Sequence, residues 1–389
     1  MSAIMNRRSL LKSGLMLAGG MPLAAGFLQR LNAMPVNTCH VSGYLSDEKI
    51  ITGAPLELKA RLFANENPFG PSAKAKQAIT DAMAQSYQYP FMFARDLMKK
   101  IADFEGLPTD NLLMGAGSSS LLMAAAIKFS QRPGSNIVTG DPTYEDLPFK
   151  AQLLNTTWKK IPLTAAYTLD LDAMEKAVDG NTSLVYICNP NNPTATVLDT
   201  DALRAFISRV SVKVPVFVDE AYIDYLDDPQ GTTMIGMLKE GKNIIVARTF
   251  SKLYGFAGLR AGYAFAQPDM IKQLALYTEG PNSLSTTTLH AAMASYQDKE
   301  FMQEALKKTV ASKKYLYSVL SADGYTYIPS STNFVLFPLK MDSLQFVKEM
   351  EKRGVGVRSW KFNNKEWCRI SIGRMDEMEA FAAAFKELS

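Results

Sequence analysis

The sequence predicts an open, wound α/β fold built on a mainly parallel sheet, and three observations carry that expectation. Short apolar, β-branched runs recur at 112–115, 137–140, 183–188, 214–219 and 244–249. Segments of helical length separate them, among them 118–129, 144–154, 171–178 and 201–210. Strands that lack polar alternation are buried on both faces, which is what helices on either side of a parallel sheet produce. Size agrees: 389 residues, 47% apolar and 21% charged, are enough for two domains with a substantial core.

The first 33 residues stand apart from that pattern. Asn6-Arg7-Arg8-Ser9-Leu10-Leu11-Lys12 precedes an apolar run over 14–28 rich in Gly, Ala, Leu and Met. A charged segment, an apolar segment and small residues before a cleavage region around Leu31-Asn32-Ala33 describe an export signal. The paired arginines followed by two leucines and a lysine resemble the twin-arginine (Tat) signal. A core helix or an uncleaved anchor is the alternative. The Tat reading implies a mature protein that is periplasmic or secreted and meets a membrane only during export. Residues 34–70 then form an N-terminal arm, and a large domain spans 71–275. It opens with helical spacing over 71–86, where Ala75, Ile79, Ala82 and Met83 share one side. After Ala266-Gln267-Pro268 one long helical stretch is expected to about Leu320. The tail alternates again: strand 333–337, helix 343–352, strands 355–358 and 369–372, and a closing helix from Glu377. It reads as a smaller α+β domain over 276–389.

Composition narrows the chemistry. Lysine and arginine number 42 against 38 acids, so a diffuse net charge of +4 predicts no nucleic-acid partner. With only His40 and His290, a histidine-rich metal site or a Ser/His/Asp hydrolase is not expected. Cys39, Cys188 and Cys368 form no CxxC pair and point to no metal site. Cys188 and Cys368 read as core residues.

Four strand ends deliver polar residues, and in open α/β sheets ligands bind beyond the carboxyl ends of strands. Gly115-Ala116-Gly117-Ser118-Ser119-Ser120 opens a helix, where a close backbone and N-terminal donors favour an anion such as phosphate. A glycine turn with a capping serine is the plain alternative. Asn189-Pro190-Asn191-Asn192-Pro193-Thr194 either presents an amide to the cleft or is a rigid turn. In Val216-Phe217-Val218-Asp219 an acid ends an apolar strand, where it is costly to bury unless it meets a positive charge. Thr249-Phe250-Ser251-Lys252, followed by Gly255, Gly258 and Arg260, places a lysine on a turn, either functional or simply a surface residue.

In this order and spacing the set resembles the fold-type I pyridoxal 5'-phosphate (PLP) enzymes of the class I/II aminotransferases, and within them the histidinol-phosphate aminotransferases. The resemblance also rests on Asn65-Glu66-Asn67-Pro68-Phe69-Gly70-Pro71, Tyr89-Pro90, Asp141-Pro142-Thr143-Tyr144, Asp219-Glu220-Ala221-Tyr222, Gly258-Leu259-Arg260 and Arg369-Ile370-Ser371-Ile372-Gly373. It covers about 61–373. It implies an aminotransferase acting between an L-amino acid or histidinol-phosphate-like amine and a 2-oxo acid such as 2-oxoglutarate. Lys252 would attach PLP and, once displaced, move a proton between substrate and cofactor. Asp219 would keep the pyridine nitrogen protonated, and Asn192 and Tyr222 would bind the phenolic oxygen. Tyr144 would stack on the ring, with plain core packing as its other reading. Gly117, Ser118, Ser119, Ser251 and Arg260 would hold the phosphate, helped by Tyr89 from the other subunit of a homodimer. Arg369, with Asn67, would bind substrate. Three features depart from the resembled pattern: Ser118-Ser119-Ser120 stands where acidic residues are common, Ala195 replaces the usual glycine, and Ser359-Trp360-Lys361-Phe362 leads quickly to Arg369.

Three other functions stay open at the level of sequence. A decarboxylase or lyase of the same fold would share Lys252 and Asp219. A non-catalytic exported binding protein would keep the scaffold alone. A nicotinamide dehydrogenase lacks its third glycine after Gly115 and Gly117.

Overall fold

The strands that read as unbroken apolar runs are buried along nearly their whole length, and they lie side by side in one sheet. The computed structural model describes residues 58–388; the export signal, its cleavage region, Cys39 and most of the expected arm lie outside the described residues. The elements run β1 (Ala60–Arg61), α1 (Ala73–Ala82), α2 (Phe91–Glu105), β2 (Leu112–Gly115), α3 (Ser118–Phe129), β3 (Asn136–Asp141), α4 (Asp146–Leu153) and β4 (Thr157–Pro162). They continue with α5 (Leu171–Ala177), β5 (Thr182–Cys188), α6 (Thr200–Val210), β6 (Val216–Asp219), α7 (Pro229–Thr232), β7 (Ile244–Thr249), β8 (Gly262–Ala266) and α8 (Pro268–Ala275). Last come α9 (Thr286–Ser295), α10 (Lys299–Ala322), β9 (Phe334–Pro338), α11 (Ser343–Lys352), β10 (Val355–Gly356), β11 (Arg358–Phe362), β12 (Lys365–Ser371) and α12 (Met375–Lys386).

Seven strands form the large sheet in the order β2-β8-β7-β6-β5-β3-β4. Pairings among β7, β6, β5, β3 and β4 are parallel, and β8 runs antiparallel to both of its neighbours. Apolar residues fill both faces: Val138, Val185, Val218 and Val246 on one, and Ile137, Tyr186, Phe217 and Ile245 on the other. This alternation of Cβ direction along each strand places successive residues in opposite layers. Helices start where capping residues sit, as Ser72, Asp170, Asp199 and Asp342 each accept from a backbone N–H three residues on. A second sheet, β11-β12-β9, is antiparallel, and β1 pairs in parallel with β10.

The structure departs from the sequence reading in specific places. The expected single helix from 268 to about 320 is three helices. Gly280, with φ 58°, and Pro281 interrupt it, and Ser285 caps a fresh start by accepting from Thr288 N. The run at 214–219 becomes a strand only at Val216, after Pro215. The strand expected at 355–358 ends at Gly356, and Arg358 opens a hairpin whose turn, Asn363-Asn364, has φ of 50° and 55°, the left-handed pair that tight hairpins use. Unanticipated are α2, the antiparallel β8 and the edge strand β4.

Candidate functional site

The ends of β2, β5, β6 and β7 converge, because parallel strands deliver their carboxyl termini to one side of the sheet. Asp219 closes β6 and is 1% exposed. Tyr186 donates its hydroxyl to Oδ2 at 3.0 Å, and the Ala221 backbone N–H donates to Oδ1 at 3.1 Å. Burial nevertheless pushes the carboxyl up to about 6, the two donors and the Lys252 charge only partly offsetting it. A neutral tyrosine and one amide do not replace the lost water, so this carboxylate is arranged for a cation that the described residues do not supply in contact.

Lys252 follows β7 on a loop whose Phe250 is anchored in the apolar core. Its Nζ donates to the Asn65 carbonyl at 3.3 Å and lies 5.3 Å from the centre of the Tyr222 ring. Burial pushes its pKa down to about 8, and the Arg369 charge adds to the effect. An amine of that pKa is substantially neutral near pH 8, as a nucleophile and proton carrier must be.

Gly117, Ser118 and Ser119 stand at the start of α3, and Arg260 reaches across to them. Gly117 has φ 74° and ψ 169°, and a Cβ there would meet Arg260 Nη2 at 2.3 Å. The guanidinium donates to Ser251 Oγ at 3.2 Å, Ala257 O at 3.1 Å, Ala116 O at 3.4 Å and Ser119 Oγ at 3.5 Å. Helix N-terminal N–H groups, hydroxyls and an arginine together make an anion cradle. The bland reading of a capped glycine turn does not account for the arginine.

A third group surrounds Tyr222. Its hydroxyl accepts from Asn65 Nδ2 at 3.0 Å and Asn192 Nδ2 at 3.4 Å. Burial raises the pKa of this phenol, while Arg369 and Asn65 pull it back. Asn192 Oδ1 accepts from Arg369 Nη1 at 2.8 Å, and Arg369 Nη2 donates to Phe63 O at 2.6 Å. Arg369 is buried, and its Nε has no hydrogen-bond partner among the described residues. Burial pushes its pKa down to about 9, with the Arg358 charge adding to that shift. Asn67 is buried with both amide ends engaged: Nδ2 donates to Leu253 O at 2.6 Å and Oδ1 accepts from Phe69 N at 3.0 Å. In this structure it fastens the 65–70 segment to the lysine loop.

Tyr144 is half-buried and packs against the layer containing Leu147 and Tyr186. Tyr89 does not join the site within its own chain. It is 81% exposed just before α2 and stacks on Phe91, itself 60% exposed. Cys188 and Cys368 are buried free thiols with raised pKa values, as core residues should be. Among the described residues no group of acids, cysteines and histidine has the arrangement to hold a metal ion.

Sequence reasoning missed Tyr186, Asn333, Ser371 and Arg358 as contributors and assigned Asn65 no role. Asn333 Nδ2 donates to the carbonyls of Asn65 and Glu66 at 3.1 and 3.2 Å. Ser371 Oγ lies 3.0 Å from Asn65 Oδ1. Asn65 and Ser371 lie inside motifs that carry the family resemblance, whereas Tyr186 and Asn333 sit in apolar or loop sequence with no local signal.

The family described as Aminotransferase class I and II matches residues 59–385. A histidinol-phosphate aminotransferase of Moorella thermoacetica is 34% identical over 355 residues, 88% of this chain and 91% of that protein. One from Carboxydothermus hydrogenoformans is 36% identical over 318 residues, 80% of this chain and 86% of that protein. The structure of histidinol-phosphate aminotransferase from Sinorhizobium meliloti in complex with pyridoxal-5'-phosphate superposes with a TM-score of 0.76 at 25% identity, covering 85% of this chain and 92% of that one.

Proposed function

Since the chain belongs to the class I and II aminotransferases and is a PLP-dependent transaminase, we propose that it moves the amino group of a phosphorylated amine such as histidinol phosphate to 2-oxoglutarate. The observation that carries this reading is Arg369, whose Nε has no partner among the described residues and whose charge is disfavoured by burial and then by the adjacent Arg358. Two neighbouring guanidiniums favour a ligand with negative charge to share, and a phosphate offers more of it than a single carboxylate. The relatives named for histidinol phosphate support the same donor.

The residues present fit PLP. Gly117, Ser118, Ser119, Ser251 and Arg260 offer the donors and charge that a phosphate needs, and a side chain at 117 would fill the cradle. Asp219, held short of charge balance by burial, suits a protonated ring nitrogen. Tyr222 and Asn192 suit the phenolic oxygen, and Tyr144 a ring face. Bound PLP supplies an electron-withdrawing ring that makes the substrate Cα–H acidic. Lys252 would provide the amine that holds the cofactor and the base that accepts that proton. The Asn65 carbonyl seats its Nζ, and burial keeps it neutral enough to accept. Arg369, held by Asn192 and Phe63 O, orients the substrate anion. The test is incubation of PLP-loaded protein with histidinol phosphate and 2-oxoglutarate and, in a parallel reaction, with a phosphorylated amino acid and 2-oxoglutarate. Glutamate formation supports the reading; carbon dioxide from phosphorylated amino acids without glutamate would assign a decarboxylase instead.

The working unit in this reading is a homodimer with Tyr89 lent to the other subunit's phosphate site. Exposure of Tyr87, Tyr89, Phe91 and Met92 in one short stretch supports it, because contiguous exposed apolar residues mark interaction surfaces. A fully active monomer would exclude it. The reading also includes Tat export to the periplasm, supported by Arg7-Arg8 and the 14–28 run. A route that carries folded proteins suits an enzyme that acquires a charged cofactor in the cytoplasm. Replacing Arg7 and Arg8 with lysine should retain loaded precursor inside the cell; unchanged export would refute this.

A further inference from the structure

Asn65 crosses the site on the segment between β1 and α1 with φ 53°, a left-handed conformation that asparagine tolerates better than most residues. Its carboxamide orientation is fixed by its neighbours. The Asn65 N–H donates to Ser371 Oγ at 2.7 Å, and the Ser371 hydroxyl donates back to Asn65 Oδ1 at 3.0 Å. That leaves Nδ2 facing the Tyr222 hydroxyl at 3.0 Å. Asn192 is oriented just as firmly, because its Oδ1 accepts from Arg369, a side chain with no acceptor. Its Nδ2 therefore faces the same tyrosine oxygen at 3.4 Å.

A phenol has two acceptor positions and one proton. With an amide donor at each position, the proton of Tyr222 is directed away from both. We propose that Asn65 is a positioning residue that, together with Asn192, holds the Tyr222 hydroxyl as an obligate donor for the phenolic oxygen of the cofactor. The inference rests on PLP occupying this site with its oxygen at Tyr222. It goes beyond the roles assigned above, since Asn65 acts on the cofactor through Tyr222. Fixing the proton direction before the ligand arrives spares the site a reorganisation on binding, the advantage of any preorganised donor.

The experiment is a double-mutant cycle with Asn65→Gly and Tyr222→Phe, each protein loaded with PLP. Glycine keeps the left-handed backbone and the Asn65 carbonyl that meets Lys252 and Asn333, and removes only the carboxamide. The readouts are the PLP dissociation constant and the pH midpoint of the bound cofactor's visible band. In the wild-type background Asn65→Gly is expected to weaken PLP retention about tenfold, the scale of one buried hydrogen bond, and to raise the midpoint. In the Tyr222→Phe background it should change retention by less than about twofold and leave the midpoint alone. Equal effects in both backgrounds would make Asn65 a merely structural residue and overturn the proposal, as would no effect in either. Wild-type protein that takes up no PLP would overturn the cofactor reading itself, and this inference with it.

Discussion

Replacing Gly117 with alanine separates the strain of a backbone from the loss of a ligand contact. At φ 74° and ψ 169° the residue occupies a region used essentially by glycine alone, and a side chain there costs about 1–3 kcal/mol. The new Cβ would also lie 2.3 Å from Arg260 Nη2 and 2.8 Å from Cζ. The guanidinium is the far end of a flexible side chain, so it can swing away without unfolding the protein. Its contacts with Ser119 and Ser251 are lost in doing so. Stability should therefore fall by the backbone term, while PLP affinity falls by one or two charge-assisted contacts, about 1.5–3 kcal/mol each, or roughly ten- to a hundredfold or more. Gly134→Ala is the control. Gly134 has φ 72°, and a Cβ placed there would meet nothing within 4 Å, so the variant should lose about 1–2 kcal/mol of stability and keep PLP affinity. Thermal melts of apo-protein and equilibrium dialysis of PLP read the two quantities. Unchanged PLP affinity in Gly117→Ala would refute the argument that this glycine exists to admit Arg260.

Asp219→Asn should stabilise the apo-protein while weakening PLP retention. The folded carboxyl at about 6 lies above its ordinary 3.8, so its proton favours the folded state most below pH 4, and that advantage is lost as pH rises through 6. The difference is roughly 3 kcal/mol at pH 8, and a lower apo melting temperature for the variant at pH 8 would contradict it. Capture of PLP by apo-protein should accelerate with a midpoint near pH 8, because attack needs neutral Lys252 and its pKa is pushed down to about 8. Arg369→Gln removes a neighbouring cation and should move that midpoint upward in stopped-flow absorbance; a stationary midpoint speaks against the coupling. Lys252→Ala should remain folded yet yield no borohydride-stable PLP adduct and no turnover, and measurable turnover without added amine would overturn its role.

The large sheet was legible because buried parallel strands advertise themselves as uninterrupted apolar runs, and β2 and β7 begin and end where the sequence placed them. Strand β4 was not, since Thr157-Trp158-Lys159-Lys160 at the sheet edge is only partly covered and carries polar residues at three of four positions. The missed helix α2 shows another limit: its N-terminal face carries Phe91, Met92 and Phe93 exposed rather than buried, which blurs a one-sided apolar stripe. In the site, Lys252, Asp219, Arg260 and Arg369 announced themselves as charges set among apolar runs and glycine turns, whereas Asn333, Ser371 and Tyr186 are uncharged groups that act through hydrogen bonds, and Arg358 closes a run that reads only as a strand. Ala195 falls between these cases. It has φ 60°, so the glycine usual at this position in the resembled family has a backbone reason, and this chain holds an alanine in the left-handed region instead.

The arginines of the interior show how charge marks the site. Arg248 is buried between two carboxylates, Glu105 Oε1 at 2.8 Å and Glu220 Oε2 at 3.0 Å. Thr233 and the Met234 N–H add donors to Glu220. Such a group has its counter-charge within the fold and fastens α2 to β6 and β7. Arg260 and Arg369 are handled differently. Their acceptors are carbonyls, hydroxyls and one carboxamide oxygen, and among the described residues neither meets a carboxylate. Neutral acceptors orient a guanidinium without cancelling its charge, so each remains able to attract an anion. Folding alone would favour a carboxylate beside Arg369, because removing an arginine from water without one is costly. Holding the charge in place without an internal counter-ion leaves that stabilisation to be supplied by an anionic ligand, and the same charge adds to burial in lowering the Lys252 pKa.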